Sequence, residues 1–266
     1  MLAVVAFIAT IAQAEDSVFA GSVPDDPAEK KETHVSAEAG GTYVTGNTAF
    51  YAFNALAKAD HLWSRNKMSG QLGGTVGGSK DDTDGDGFLS EVERDGPLEE
   101  SARRVFGEAR YDRFLSDLDS VYALAGAFHD PWLGYDIRSH EQVGYSHLWV
   151  NTEQTQFRTE FGVDIAQEDY IESVDPPYND VLAGRILLGL THAFNKNVGF
   201  SETFEIYENV LDFDDVRMLN TASFTSNINA KLSLKLSNIL IFDNVPIEGF
   251  AKLDTTSMVT FVATIL

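Results

Sequence analysis

Residues 155–169 read TQFRTEFGVDIAQED. Phe157, Thr159, Phe161, Val163 and Ile165 occupy alternate positions, and Arg158, Glu160, Gly162 and Asp164 occupy the positions between them. Strict period two marks a strand with one apolar and one polar face. The polar face carries more charge than a packed core tolerates, because burying an unpaired charge is costly. Strands of soluble domains run ~5–6 residues, whereas a tilted membrane strand needs ~9–11 in the hydrocarbon alone. The pattern predicts one stave of a membrane barrel, apolar towards lipid and polar towards a lumen.

The alternation continues outward from this stave. Val198, Phe200, Phe204 and Ile206 oppose Ser201, Thr203 and Glu205, while Leu232, Leu234, Leu236, Leu240 and Phe242 oppose Lys231, Ser233, Lys235 and Ser237. Leu253, Val259, Phe261 and Ile265 oppose Asp254, Thr256, Thr260 and Thr264. Thr45-Gly46-Asn47, Ser64-Arg65-Asn66, Asn151-Thr152-Glu153 and Asn195-Lys196-Asn197 separate such runs. Gly and Asn in them suit hairpin turns. Twelve strands are predicted, near 34–44, 48–63, 66–77, 101–114, 119–130, 135–150, 155–169, 181–195, 198–210, 214–226, 230–243 and 252–265. Leu115-Ser116-Asp117 is either the turn between the fourth and fifth or strand interior.

Hydrocarbon satisfies no free sheet edge, so such a sheet must close. The fold class expected is all-β, an antiparallel up-and-down transmembrane β-barrel of about twelve strands. An even count places both ends in the periplasm. Connections after strands two, four, six, eight and ten are then short periplasmic turns, and those after three, five, seven and eleven are longer external loops. Trp63, Trp149 and Phe194 fall at periplasmic strand ends, where an aromatic girdle belongs. Glu141 and Glu202 fall on the lipid face, which implies a local bulge or an interfacial position. A soluble sandwich or lipocalin-like barrel is the alternative.

The chain has 266 residues, no cysteine and a formal net charge of -22. The lack of cysteine rules out disulfides and thiolate sites, and nucleic acid is an unsuitable partner for so acidic a chain. Residues 2–12 are an apolar run followed by Ala12-Gln13-Ala14 and Glu15. That order predicts a signal peptide over 1–14, although no Lys or Arg precedes the run. An acidic linker over 15–33 and the barrel over 34–266 follow. The six histidines show no helical metal-ligand spacing, and there is no Gly-x-Ser-x-Gly elbow or phosphate loop. No catalytic residue is assigned and no enzyme is expected.

An insertion at 78–100 contains Asp82-Thr83-Asp84-Gly85-Asp86-Gly87-Phe88-Leu89-Ser90-Glu91-Val92-Glu93. This matches an EF-hand calcium loop. Asp82, Asp84 and Asp86 stand at places one, three and five, and Gly87 at the sharp turn. Phe88 offers a carbonyl at seven, Ser90 can hold a water at nine, and Glu93 closes the sphere at twelve. Ca2+ is therefore the expected cofactor, bound at an external loop. The glycine-rich entering segment, Gly73 to Gly78, is unlike the usual entering helix.

Three later stretches carry a family resemblance: Leu190-Thr191-His192-Ala193-Phe194-Asn195-Lys196-Asn197, Phe242-Asp243-Asn244-Val245-Pro246, and Lys252-Leu253-Asp254-Thr255-Thr256. With Gly40, Thr42 and Thr45-Gly46-Asn47-Thr48, they resemble the salt-induced outer membrane protein family, a domain of unknown function. The resemblance covers about 34–77 and 101–266. It implies an outer-membrane β-barrel with no established reaction. This chain departs from the family in ending on Ile265 and Leu266 rather than an aromatic residue, and in the insertion.

Two functions follow as expectations. One is a narrow channel for small solutes or ions, its lumen lined by Arg138, His140, Arg158, Glu160, Asp164, Arg185 and Lys235. The other is a non-conducting structural or adhesive surface barrel stabilised by calcium. Expected partners are outer-membrane lipid and lipopolysaccharide, and the barrel assembly machinery during biogenesis.

Overall fold

In a computed structural model, residues 31–44, 49–80 and 89–265 are described. They form twelve strands: β1 (Lys31–Val44), β2 (Phe50–Trp63), β3 (Asn66–Ser79), β4 (Glu99–Phe114), β5 (Asp119–Asp130), β6 (Tyr135–Asn151), β7 (Thr155–Tyr170), β8 (Tyr178–Asn195), β9 (Val198–Asn209), β10 (Val216–Asn227), β11 (Leu232–Asp243) and β12 (Leu253–Thr264). Each pairs antiparallel with its sequence neighbours, and β1 pairs with β12 from Ser36↔Thr264 to Ala39↔Phe261. The result is a closed barrel, so no sheet edge is left to satisfy. No described helix is long and apolar enough to cross a membrane, which says nothing of the strands. The only described α-helix is the five-residue α1 (Glu91–Asp95).

Burial is inverted relative to a soluble protein. Glu160 and Asp112 are fully buried, whereas Val143 and Leu72 are 61% and 63% exposed. On β7, Arg158, Glu160, Asp164 and Glu168 point inward, and Phe161, Val163 and Ile165 point outward. The apolar face is thus the outer wall, the arrangement of barrels that use lipid as their solvent.

The two ends differ. At one, which holds both ends of the barrel chain, the connections are tight. Ser64 takes φ 51° between β2 and β3, and Leu115 N–H donates to Asp119 O at 2.8 Å, making 115–118 a turn rather than strand interior. This is the turn end; the opposite one is the loop end. β1 begins at Lys31, inside the stretch expected as linker. The β5–β6 connection, expected to be long, is only Pro131 to Gly134. Asp130 shortens it by capping a 3-10 turn, accepting from Leu133 N–H at 3.2 Å, and Gly134 closes it at φ 86°. Glu141 and Glu202 both face outward with no bulge at either. Glu202 accepts from Asn220 of β10 at 3.1 Å.

Aromatic side chains gather on the outer wall at the turn end, from Trp63 of β2 to Phe224 of β10. On three strands the pattern is His-x-aromatic. His61 stacks on Trp63 with centroids 5.5 Å apart, His147 meets Trp149 edge-on at 4.5 Å, and His192 meets Phe194 at 4.8 Å. Amphipathic rings of this kind suit the boundary between hydrocarbon and headgroups.

Inside, glycines let large rings lie flat on the wall. The Tyr122 hydroxyl sits 2.6 Å from where a Cβ would stand on Gly144 and on Gly162. A Cβ on Gly162 would also meet the Val143 carbonyl at 2.9 Å, which cannot move without breaking the sheet. Gly162→Ala is expected to lower stability by about 1–3 kcal/mol, the usual cost of overpacking. Heat-dependent gel mobility of the refolded variant checks this.

Candidate functional site

The interior is crossed at mid-height by ion-paired side chains. Strand alternation aims Arg110 and Asp112 of β4, Arg158 and Glu160 of β7, Arg185 of β8 and Glu205 of β9 into the same space, and all are at least nine-tenths buried. Glu160 is the hub. Its carboxylate accepts from Arg110 Nη2 at 2.9 Å and Arg185 Nη1 at 2.9 Å, and lies 3.4 Å from Arg158 Nη1. Arg110 also donates to Asp112 at 2.7 Å, and Arg185 reaches Glu205 at 2.6 Å. Tyr122 accepts from Arg185 at 2.7 Å, and its ring lies 4.1 Å below the Arg110 guanidinium. Planar guanidiniums suit this work because each engages two carboxylates at once.

A second tier rises towards the loop end. His140 Nδ1 is 3.2 Å from Asp164, and Arg138 donates to Glu168 at 2.8 Å. Arg217 of β10 donates to Glu168 and, at 2.9 Å, to Asp215. Arg104 pairs with Asp130 at 3.3 Å and stands 4.5 Å over the Phe128 ring. On the other side of the lumen, Lys235 and Lys58 each lie 3.4 Å from Glu38.

The lumen is not uniformly polar. Leu56, Phe106, Phe128, Ile239 and Met258 form a buried apolar cluster, with Tyr135, Leu219 and Ile241 packed against it. At the loop end, the β11–β12 connection crosses the mouth. Ile247 and Phe250 lie over Gly134 of the diametrically opposite hairpin, where a Cβ would meet them at 2.7 and 3.2 Å. Cavities lie at both ends of the lumen. One of about 160 Å3 lies below that loop, and one of about 390 Å3 opens at the turn end between β1, β2, β8, β9 and β10. They share no lining residue.

Residues 37–265 match the family model described as a protein of unknown function, DUF481. The chain belongs to the DUF481 family. Among solved structures, the barrel resembles the NanC porin, with a TM-score of 0.53 and 12% identity over 88% of this chain and all of that one. An outer membrane channel from Pseudomonas putida F1 aligns with a TM-score of 0.48 and 10% identity, over 96% of this chain and all of that one. At these identities the likeness concerns the fold. No curated protein matches the chain.

In this DUF481 barrel, six of the residues singled out in the sequence (His140, Arg158, Glu160, Asp164, Arg185 and Lys235) lie buried on the inner face, and Arg138 is 14% exposed beside them. Arg158, Glu160 and Arg185 form one ion-paired group and Arg138, His140 and Asp164 another, joined through Gln142 and Tyr207, while Lys235 pairs with Glu38. The inner face also carries ion-paired residues that sequence reasoning missed: Arg104, Arg110, Asp112, Glu168, Glu205 and Arg217. Of the calcium-loop residues, Asp82, Asp84, Asp86 and Phe88 lie outside the described residues. Ser90 and Glu93 are described. Ser90 caps α1, and its N–H donates to Glu93 Oε2 at 2.8 Å while its Oγ accepts from Glu93 N–H at 3.4 Å. Leu89 is buried beside them.

Proposed function

We propose that this chain resides in the bacterial outer membrane, turn end towards the periplasm, and works as a narrow, non-enzymatic channel for small solutes or ions. The observation that carries the reading is the central array. Arg110, Arg158 and Arg185 around Glu160 form a charged constriction between two cavities, and rings of fixed charge tune which ions pass. Passage requires these side chains to part, so flux is small. Lipopolysaccharide surrounds the loop end, and the barrel assembly machinery inserts the chain.

A second reading is a closed surface anchor. It is favoured by the dense ion pairing across the lumen and by the two cavities having no lining residue in common. Liposomes holding the refolded chain and a potassium-reporting dye separate the readings. Flux above that of empty liposomes supports the channel, and flux equal to theirs from inserted protein supports the anchor.

Calcium at 82–93 belongs to either reading. The ligand set would be the carboxylates of Asp82, Asp84, Asp86 and Glu93, the Phe88 carbonyl, and a water on Ser90. A lone loop is expected to bind with Kd of about 10⁻⁴–10⁻³ M. Titration calorimetry on the full chain checks this, and Glu93→Gln should weaken binding by at least about tenfold by removing a charged ligand.

A further inference from the structure

The loop-end cavity has an uneven electrostatic balance. Four arginines line it, and each already has a carboxylate of its own: Arg104 with Asp130 at 3.3 Å, Arg138 with Glu168 at 2.8 Å, Arg185 with Glu205 at 2.6 Å, and Arg217 with Asp215 at 2.9 Å. Arg217 also lies 3.5 Å from Asp243. His140 faces the same space, but its ring is tied to Asp164. Two acids of the lining remain. Glu108 of β4 and Asp254 of β12 accept no hydrogen bond and join no ion pair with any described residue. Apart from Gln142, the rest of the wall is apolar and aromatic, and Phe128, Tyr135, Tyr207 and Phe250 line it.

From this we propose that the loop-end cavity binds a small organic ammonium ion, a cation carrying an apolar body about the size of one aromatic ring. This deepens the channel reading and rests on it only for transport, not for binding. The ammonium takes Glu108 or Asp254 as its counter-ion, and rings of the lining other than Phe128, which already carries Arg104, supply cation–π attraction. The size agrees, because a cavity of about 150 Å3 holds benzene, and this one is about 160 Å3. An anion gains less, since every guanidinium it meets is already partly neutralised by a carboxylate. The net charge of -22 adds a long-range field that draws cations to the barrel.

Three probes of one shape test the charge: benzylammonium, benzyl alcohol and benzoate, titrated by calorimetry into the refolded full-length chain in micelles. Benzylammonium should bind at least about tenfold tighter than either, the scale of one desolvated cation contact. The Glu108→Gln/Asp254→Asn double variant, shown folded by heat-dependent gel mobility, should lose that preference and keep its affinity for benzyl alcohol. Benzoate binding as tightly as benzylammonium would overturn the proposal, as would a preference that survives in the double variant. The probe comparison on the unmodified chain decides the matter even if the variant misfolds. Binding without ion passage keeps the site and removes the channel. Passage without ammonium preference keeps the channel and removes the site.

Discussion

Glu160→Gln is expected to destabilise the barrel by about 3–5 kcal/mol, because removing one member of a buried ion network leaves its partners uncompensated. Three guanidiniums converge on this carboxylate, from Arg110, Arg158 and Arg185. The amide keeps the shape and loses the charge, so the loss reports electrostatics rather than a cavity. Urea unfolding in lipid vesicles reads it as a lower midpoint at unchanged slope. Glu141→Gln is the control, since Glu141 faces outward and touches none of these arginines. A loss below about 1 kcal/mol at Glu160, the range of solvent-exposed pairs, would mean that water screens the lumen charges.

The second large effect is expected on the outer wall. Val163 lies midway along β7, is 46% exposed, and has the outward-facing Val143 as its neighbour in register. Val163→Arg should cost about 2–4 kcal/mol in a bilayer, the range for a cation at the midplane of a membrane barrel. On a soluble barrel the same exposed position would tolerate arginine within about 0.5 kcal/mol. Reversible folding into short-chain lipid vesicles distinguishes the two. An unaffected variant would return the chain to the soluble class that the strand lengths argue against.

The twelve strands were legible because most keep one face apolar without interruption. In β7, Phe157, Phe161, Val163 and Ile165 report the wall directly, and their neighbours report the lumen. β4 was harder to read. Arg103 and Arg113 face outward beside Val105 and Tyr111, while Arg104, Phe106 and Arg110 face inward. Both faces are therefore mixed, and the inward arginines had no signature. The same ambiguity hid the apolar cluster. Leu56 and Ile239 sit in the lumen, where alternation predicts polar residues. Which charges meet depends on strands far apart in sequence, and the Arg110–Glu160 pair spans fifty residues. Most charges of the lumen meet partners on other strands, which a single strand cannot reveal. The β5–β6 connection depended on one capping aspartate and one left-handed glycine, too local a signal to set its length beforehand.

The most direct measurement of the account is single-channel recording of the refolded, full-length chain in a planar bilayer, first with calcium and then with excess chelator. Discrete steps of small amplitude are predicted, because the Arg110–Glu160–Arg185 array crosses the lumen and opens only when these pairs part. No steps, from protein shown to be folded and inserted, would contradict the channel and leave a closed, ion-paired barrel as the function's sole support.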